Sequence, residues 1–161
     1  MNTEQKISLA KIGHPKHLDK FIKDKQSRVR AAAAKFGDDN HRDALLNDKD
    51  INVRNIIATK GNDSQKDKLA KDSEPWVRRT VAIHGNDAHR DKLINDEDAT
   101  VRERVARYGN DSHRDKLIND KHSGVRWAVA TYGNKEHATK LLNDSDIPTR
   151  NMAESKVRES K

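Results

Sequence analysis

Glycine falls at positions 13, 37, 61, 85, 109 and 133, so the chain repeats itself every 24 residues. Other columns keep the same step. Asp occurs at 24, 48, 72, 96, 120 and 144, and a large apolar residue at Phe21, Leu45, Leu69, Leu93, Leu117 and Leu141. Val-Arg runs from Val29-Arg30 to Val125-Arg126 and decays to Thr149-Arg150. A period of this length marks a solenoid, in which each unit buries a narrow stripe against its neighbours. Only such an array reconciles the composition with folding. With 32% apolar and 37% charged residues and a mean hydropathy of -1.11, the chain has too little apolar surface for one large core.

Each period predicts two short helices. Val101, Val105 and Tyr108 lie at i, i+4 and i+7, one face of a helix over 101–108. Gly109 is expected to stop it in a left-handed conformation. Asn110, Asp111 and Ser112 offer side-chain oxygens to cap a second helix, about 113–119, which buries Leu117 and Ile118. Helices this short do not persist alone, so their stability must come from stacking. The expected fold is all-α: a right-handed helical solenoid of six 24-residue two-helix repeats behind an N-terminal capping helix. Residues 1–161 form one domain, with the cap at 1–12, repeats over 13–156 and a tail at 157–161. The ends depart from the consensus. Residues 5–12 keep the apolar spacing through Leu9 and Ala10 without Val-Arg, and 149–156 are unusually polar.

The pattern Val-Arg-x-x-Val-Ala, a Gly/Asn turn, a Leu and an Asp before the next Val-Arg resembles the variant leucine-rich and short HEAT-like repeat families over residues 13–156. The turn departs from the variant leucine-rich pattern. Gly-Asn-Asp-x-His stands where Asn-Pro and Thr-Pro are usual, and Pro15, Pro75 and Pro148 do not supply them. The second helix is therefore expected to differ in pitch or length. The resemblance implies scaffolding and recognition, with no common ligand. It also implies that the Arg of Val-Arg bonds an Asp of the inter-repeat turn as a ladder. The Asp six residues earlier, as in Asp96 and Arg102, is the expected partner.

Several function classes lose support. The absence of Cys excludes disulfides, thiol catalysis and Cys-based zinc sites. No stretch approaches a membrane span, which favours a cytoplasmic protein without membrane attachment. The column His17, His41, Gln65, His89, His113 and His137 puts one imidazole in most units. Metal donors must converge within ~2–2.2 Å of one point, so these are expected to bond across turns at the start of the second helix instead. The periodic Asp19, Asp43, Asp67, Asp91 and Asp115 read as paired surface charge, as with Arg114 and Lys116 beside Asp115. No nucleophile-base pair and no phosphate-cradling loop stands out, so neither enzymatic activity nor a cofactor is expected.

Columns that change between repeats point to recognition. On the first helix, position three reads Ala31, Asn55, Arg79, Glu103, Trp127 and Asn151, and position seven reads Lys35, Thr59, Ile83, Arg107, Thr131 and Ser155. Both point away from the apolar face at 100° per residue. Trp127, Arg79, Arg107, Arg126, Glu103 and Lys35 are the candidate partner-binding residues. Trp127 is either a solvent-facing anchor or is folded against a neighbouring helix; Trp76, just before a Val-Arg, is expected to pack in its turn. The favoured reading is a protein-binding adaptor, inhibitor or phage-type antagonist of a host protein. The alternative is non-specific nucleic-acid binding. Residues 1–36 hold nine basic and three acidic residues, whereas 37–148 hold 20 and 21. Lys11, Lys16, Lys20, Lys23, Lys25 and Arg28 are the candidate phosphate contacts there.

Overall fold

The computed structural model describes residues 1–159; residues 160 and 161, the end of the expected tail, lie outside the described residues. The described residues form thirteen α-helices and no strand. Long helices are α1 (Thr3–Ile12), α3 (Ser27–Phe36), α5 (Ile51–Lys60), α7 (Pro75–His84), α9 (Ala99–Tyr108), α11 (Ser123–Tyr132) and α13 (Ile147–Glu159). Short helices alternate with them: α2 (Pro15–Phe21), α4 (Asp39–Leu45), α6 (Asp63–Leu69), α8 (Asp87–Leu93), α10 (Asp111–Leu117) and α12 (Lys135–Lys140). This is the helical solenoid that the period predicts. The chain forms two compact units, Met1–His84 and the residues from Gly85 onward. In the first, α1 packs on α3, α3 on α5 and α5 on α7; in the second, α9 packs on α11 and α11 on α13.

The core consists of repeated columns. Val29, Val53, Val77, Val101 and Val125 are fully buried, as are Ala33, Ile57, Val81, Val105, Val129 and Ala153 one helical turn on. Phe21 and the five Leu of its column close the core from the short helices. Tyr108 departs from the expected face and is 40% exposed. It is the last residue of the long helix, where the ring leaves the core stripe.

The long helices α5, α9 and α11 begin two residues before Val, where a side chain of the preceding turn caps them. Asp50 accepts from Asn52 N–H, Asp98 from Thr100 N–H and His122 from Gly124 N–H. The last helix extends through Glu159, and Thr149 replaces Val in the core by bonding Asp146 through both N–H (3.0 Å) and Oγ1 (2.7 Å).

The glycine column does not work as expected. Gly37, Gly61, Gly109 and Gly133 have φ between -67° and -80° and extended ψ, conformations open to any residue. Among the described residues only Gly13 is left-handed, with φ 75°. Crowding explains the others. A Cβ at Gly37 would lie 2.5 Å from Ala33 O and 2.8 Å from His41 Cβ; at Gly133 it would lie 2.5 Å from Val129 O and 2.9 Å from His137 Cβ. The chain passes so close to both the helix end and the next imidazole that no side chain fits.

Candidate functional site

The scaffold consumes many of the polar side chains that recur with the period. The Arg of Val-Arg is the clearest case. Arg102 Nε and Nη2 donate to the two carboxylate oxygens of Asp120 at 2.7 and 2.8 Å, and Nη1 donates to Asp96 O at 2.7 Å. The ladder therefore exists, but its carboxylate comes from the following turn, 18 residues on. The Asp six residues back offers only its backbone carbonyl. Arg30 with Asp48, Arg54 with Asp72 and Arg126 with Asp144 repeat this fork. Lys6 occupies the same register in α1 and donates to Asp24 at 2.6 Å, so the cap keeps the rung with a different cation. Each Asp also accepts an N–H two residues on, for example Asp120 from His122 at 2.9 Å, which shapes the turn. Arg126, expected among the anchors, is thus held by Asp144 and by Asp120 O.

These bonds set the carboxylates' acidity. The Arg126 hydrogen bonds hold Asp144 below its ordinary value, and Lys6 does the same for Asp24. At Asp48 and Asp120 burial pushes upward, but hydrogen bonds from Arg30 and Arg102 and from the turn outweigh it, so both end below the usual range. A carboxylate depressed in the folded state binds fewer protons there than in the unfolded chain, whose Asp titrates near ~3.9. Its stabilisation is complete above that value and is lost as pH falls through the folded value. Thermal melts are expected to hold level from pH 7 to about 5, then drop by ~5–10 °C towards pH 3. The drop should survive 1 M salt, which screens surface repulsion but not the buried forks. A level profile to pH 3 would refute the assignment.

The His column also belongs to the scaffold. Asn110 Oδ1 accepts from His113 N–H at 3.2 Å, while His113 Nδ1 accepts from Asn110 N–H at 3.0 Å. This reciprocal capping box recurs at Asp38/His41, Asn62/Gln65, Asn86/His89 and Asn134/His137. With Nδ1 accepting at His113 and His137, the proton sits on Nε2. That atom lies 3.4 Å from Asp91 at His113 and 3.2 Å from Asp115 at His137, too poorly aligned for a hydrogen bond. Gln65 fits the column because its amide does both jobs. Oε1 accepts from Asn62 N–H, and Nε2 donates to Asp39 O at 2.9 Å. Among the described residues no three His, Cys, Asp or Glu converge as metal ligands. No described helix is long and apolar enough to cross a membrane.

One column escaped the sequence reading although its signal was present. Five places after the glycine stand Arg42, Lys66, Arg90 and Arg114, interrupted by Ala138. These cations donate to carbonyls at the ends of the long helices: Arg42 to Gly37 O at 2.7 Å, Arg90 to Gly85 O at 2.8 Å and Arg114 to Ala106 O at 3.0 Å. Where Ala138 has no such group, Lys156 reaches back from α13 to Thr131 O at 2.6 Å. Burial, then the charge of Arg114, pushes that ammonium below its usual range. Arg114 pairs with Asp111 at 2.9 Å rather than Asp115, and Lys116 reaches Asp91 at 3.6 Å.

What remains is the variable face of the long helices. In the second unit, Arg107 lies over Tyr108 at 5.2 Å and Tyr132 at 5.0 Å from the ring centroids. Trp127 is half-buried on α11, and Glu103 on α9 pairs with Arg104 at 3.1 Å. In the first unit, Trp76 is 41% exposed, contrary to its expected packing in the turn, and shares a face of α7 with Arg79. The Arg79 Nε is buried without a hydrogen bond. Lys35 is exposed and lies 5.3 Å from the Phe36 ring. The basic residues of the first unit do not share one face. Lys11 and Arg28 are on long helices, Lys16 and Lys20 on α2, and Lys23 and Lys25 in the following turn. Arg28 pairs with Glu4 at 3.1 Å, with both side chains well exposed.

The sequence matches no protein-family model and no curated protein. Among solved structures, an engineered protein aligns at 16% identity over 96% of this chain and 86% of its own, with a TM-score of 0.32. A leucine-rich repeat variant with a novel repetitive structural motif aligns at 26% identity over 94% of this chain, with a TM-score of 0.82; this chain spans 65% of that protein's length, and its fold is similar to that protein's.

Proposed function

We propose that the chain is a protein-binding module that recognises its partner through the variable face of its long helices. Solenoids of this kind characteristically present extended binding surfaces. The supporting observation is a division of labour among the arginines. Those in constant columns are spent on internal carboxylates and carbonyls, whereas Arg107 and Arg79 lie in variable columns, Arg107 over two tyrosine rings and Arg79 on the helix face that carries Trp76. Exposed aromatic and arginine side chains are the commonest binding anchors. Trp127 and Glu103 extend the surface in the second unit, and Lys35 in the first. An adaptor, an inhibitor or a phage-type antagonist of a host protein all fit this reading.

The test starts with affinity capture from native host cells and identification of the bound protein. The purified partner is then titrated against Trp127→Ala, Arg107→Ala and Arg79→Ala. At least one variant is expected to bind about tenfold or more weakly with its helix content unchanged. Full affinity in all three would overturn the reading. A second reading, phosphate contact through the basic end, draws on residues 1–84, which hold 18 basic against 12 acidic residues. Their dispersal over several faces favours it less than a single groove would.

A further inference from the structure

We propose that the second unit recognises a carboxylate of an acidic protein segment, with Arg107 as its receptor. The proposal rests on the protein-binding reading and names the chemistry of the partner. Arg107 Cζ lies 5.2 Å from the Tyr108 ring and 5.0 Å from the Tyr132 ring. Among the described residues no carboxylate pairs with it. Neighbouring arginines are engaged: Arg102 with Asp120, Arg114 with Asp111, and Arg104 with Glu103. Ring contacts restrain the guanidinium, and the Arg107 side chain is exposed. A guanidinium is a fork of donors matched to a planar oxyanion, and a pre-positioned fork loses little entropy on binding. The exposed Tyr108 ring beside it offers an apolar contact to the residue next to the carboxylate.

Charge selects among anions. From Gly85 onward the chain holds 15 basic and 14 acidic residues, so it lacks the excess that tracks a polyphosphate backbone. Glu103, one helical turn before Arg107, repels a continuous run of negative charge. A peptide with carboxylates spaced between apolar side chains avoids that repulsion.

The test uses the full chain and a fluorescein-labelled ten-residue peptide of alternating Glu and Leu, read by anisotropy. Its Gln/Leu counterpart and a ten-nucleotide oligothymidylate are the comparison probes. Saturable binding of the Glu peptide is expected, with about tenfold or greater loss for the Gln peptide and for Arg107→Ala. Arg107→Lys keeps the charge without the fork and should fall between. Absence of Glu-peptide binding, equal binding of the Gln peptide, indifference to Arg107→Ala, or preference for the oligonucleotide would each overturn the proposal. The broader reading is judged separately. It stands if the captured partner is still weakened by Trp127→Ala, and falls if that complex ignores every variable-face substitution.

Discussion

Arg102→Ala is expected to remove ~3–5 kcal/mol of unfolding free energy, the cost of breaking a buried ion pair from one side. Both side chains of the Arg102–Asp120 pair are 6% exposed. Truncation leaves the Asp120 carboxylate buried with only the His122 N–H, and strips the Asp96 and Glu97 carbonyls of their donor. Against a typical total of ~5–15 kcal/mol this is a large fraction. Three comparisons separate the pair from general damage. Arg102→Lys should recover part of the loss, since Lys6 and Asp24 already form a single-contact rung. Arg102→Ala combined with Asp120→Asn should be less damaging than Arg102→Ala alone, because no buried charge is stranded. Hydrogen exchange should place the loosened amides around α9 and the turn before α11. A urea midpoint within experimental scatter of the parent would show that the fork is ornamental.

Gly109→Ala is expected to cost ~1–3 kcal/mol, an overpacking penalty. The added Cβ would sit 2.6 Å from Val105 O and 2.9 Å from His113 Nδ1. Usually Gly→Ala at a permitted backbone conformation stabilises by ~0.4–1 kcal/mol through the unfolded chain, so the sign itself is the test. Gly109→Asn distinguishes crowding from handedness. A left-handed stop tolerates Asn, whereas a crowded approach rejects it at least as strongly as Ala. At Gly13, with φ 75° and nothing within 4 Å of the added atom, the opposite order applies and Asn should be the better replacement. If Gly109→Ala raised the melting temperature, the crowding account would be wrong.

These two cases show what the sequence carried. Period, helix count and buried columns were legible because each is a property of residue type against spacing, and Val101, Val105 and Leu117 obey the spacing. The Asn caps were legible for the same reason. The partner of Arg102 was not. Asp96 and Asp120 belong to one periodic column, and separation along the chain does not say which turn a long side chain reaches. Gly109 misled because glycine has two uses, a backbone conformation and a missing side chain, and composition records only its presence. Tyr108 carried the right spacing for the core but stands at a helix end, where the stripe runs out. The Arg107 cluster was half visible. Its variability was plain, but Tyr132 comes from the next long helix, and only packing brings that ring beside it.

Because Arg30, Arg54, Arg102 and Arg126 each reach the aspartate one turn onward, these modules carry matching halves of a lock on their edges. A duplicated stretch of 24 residues would meet complementary edges on both sides without altering a neighbour. Length can therefore grow or shrink by whole modules through unequal recombination, while the letters at positions three and seven drift independently. The same joinery that stiffens the array makes it editable.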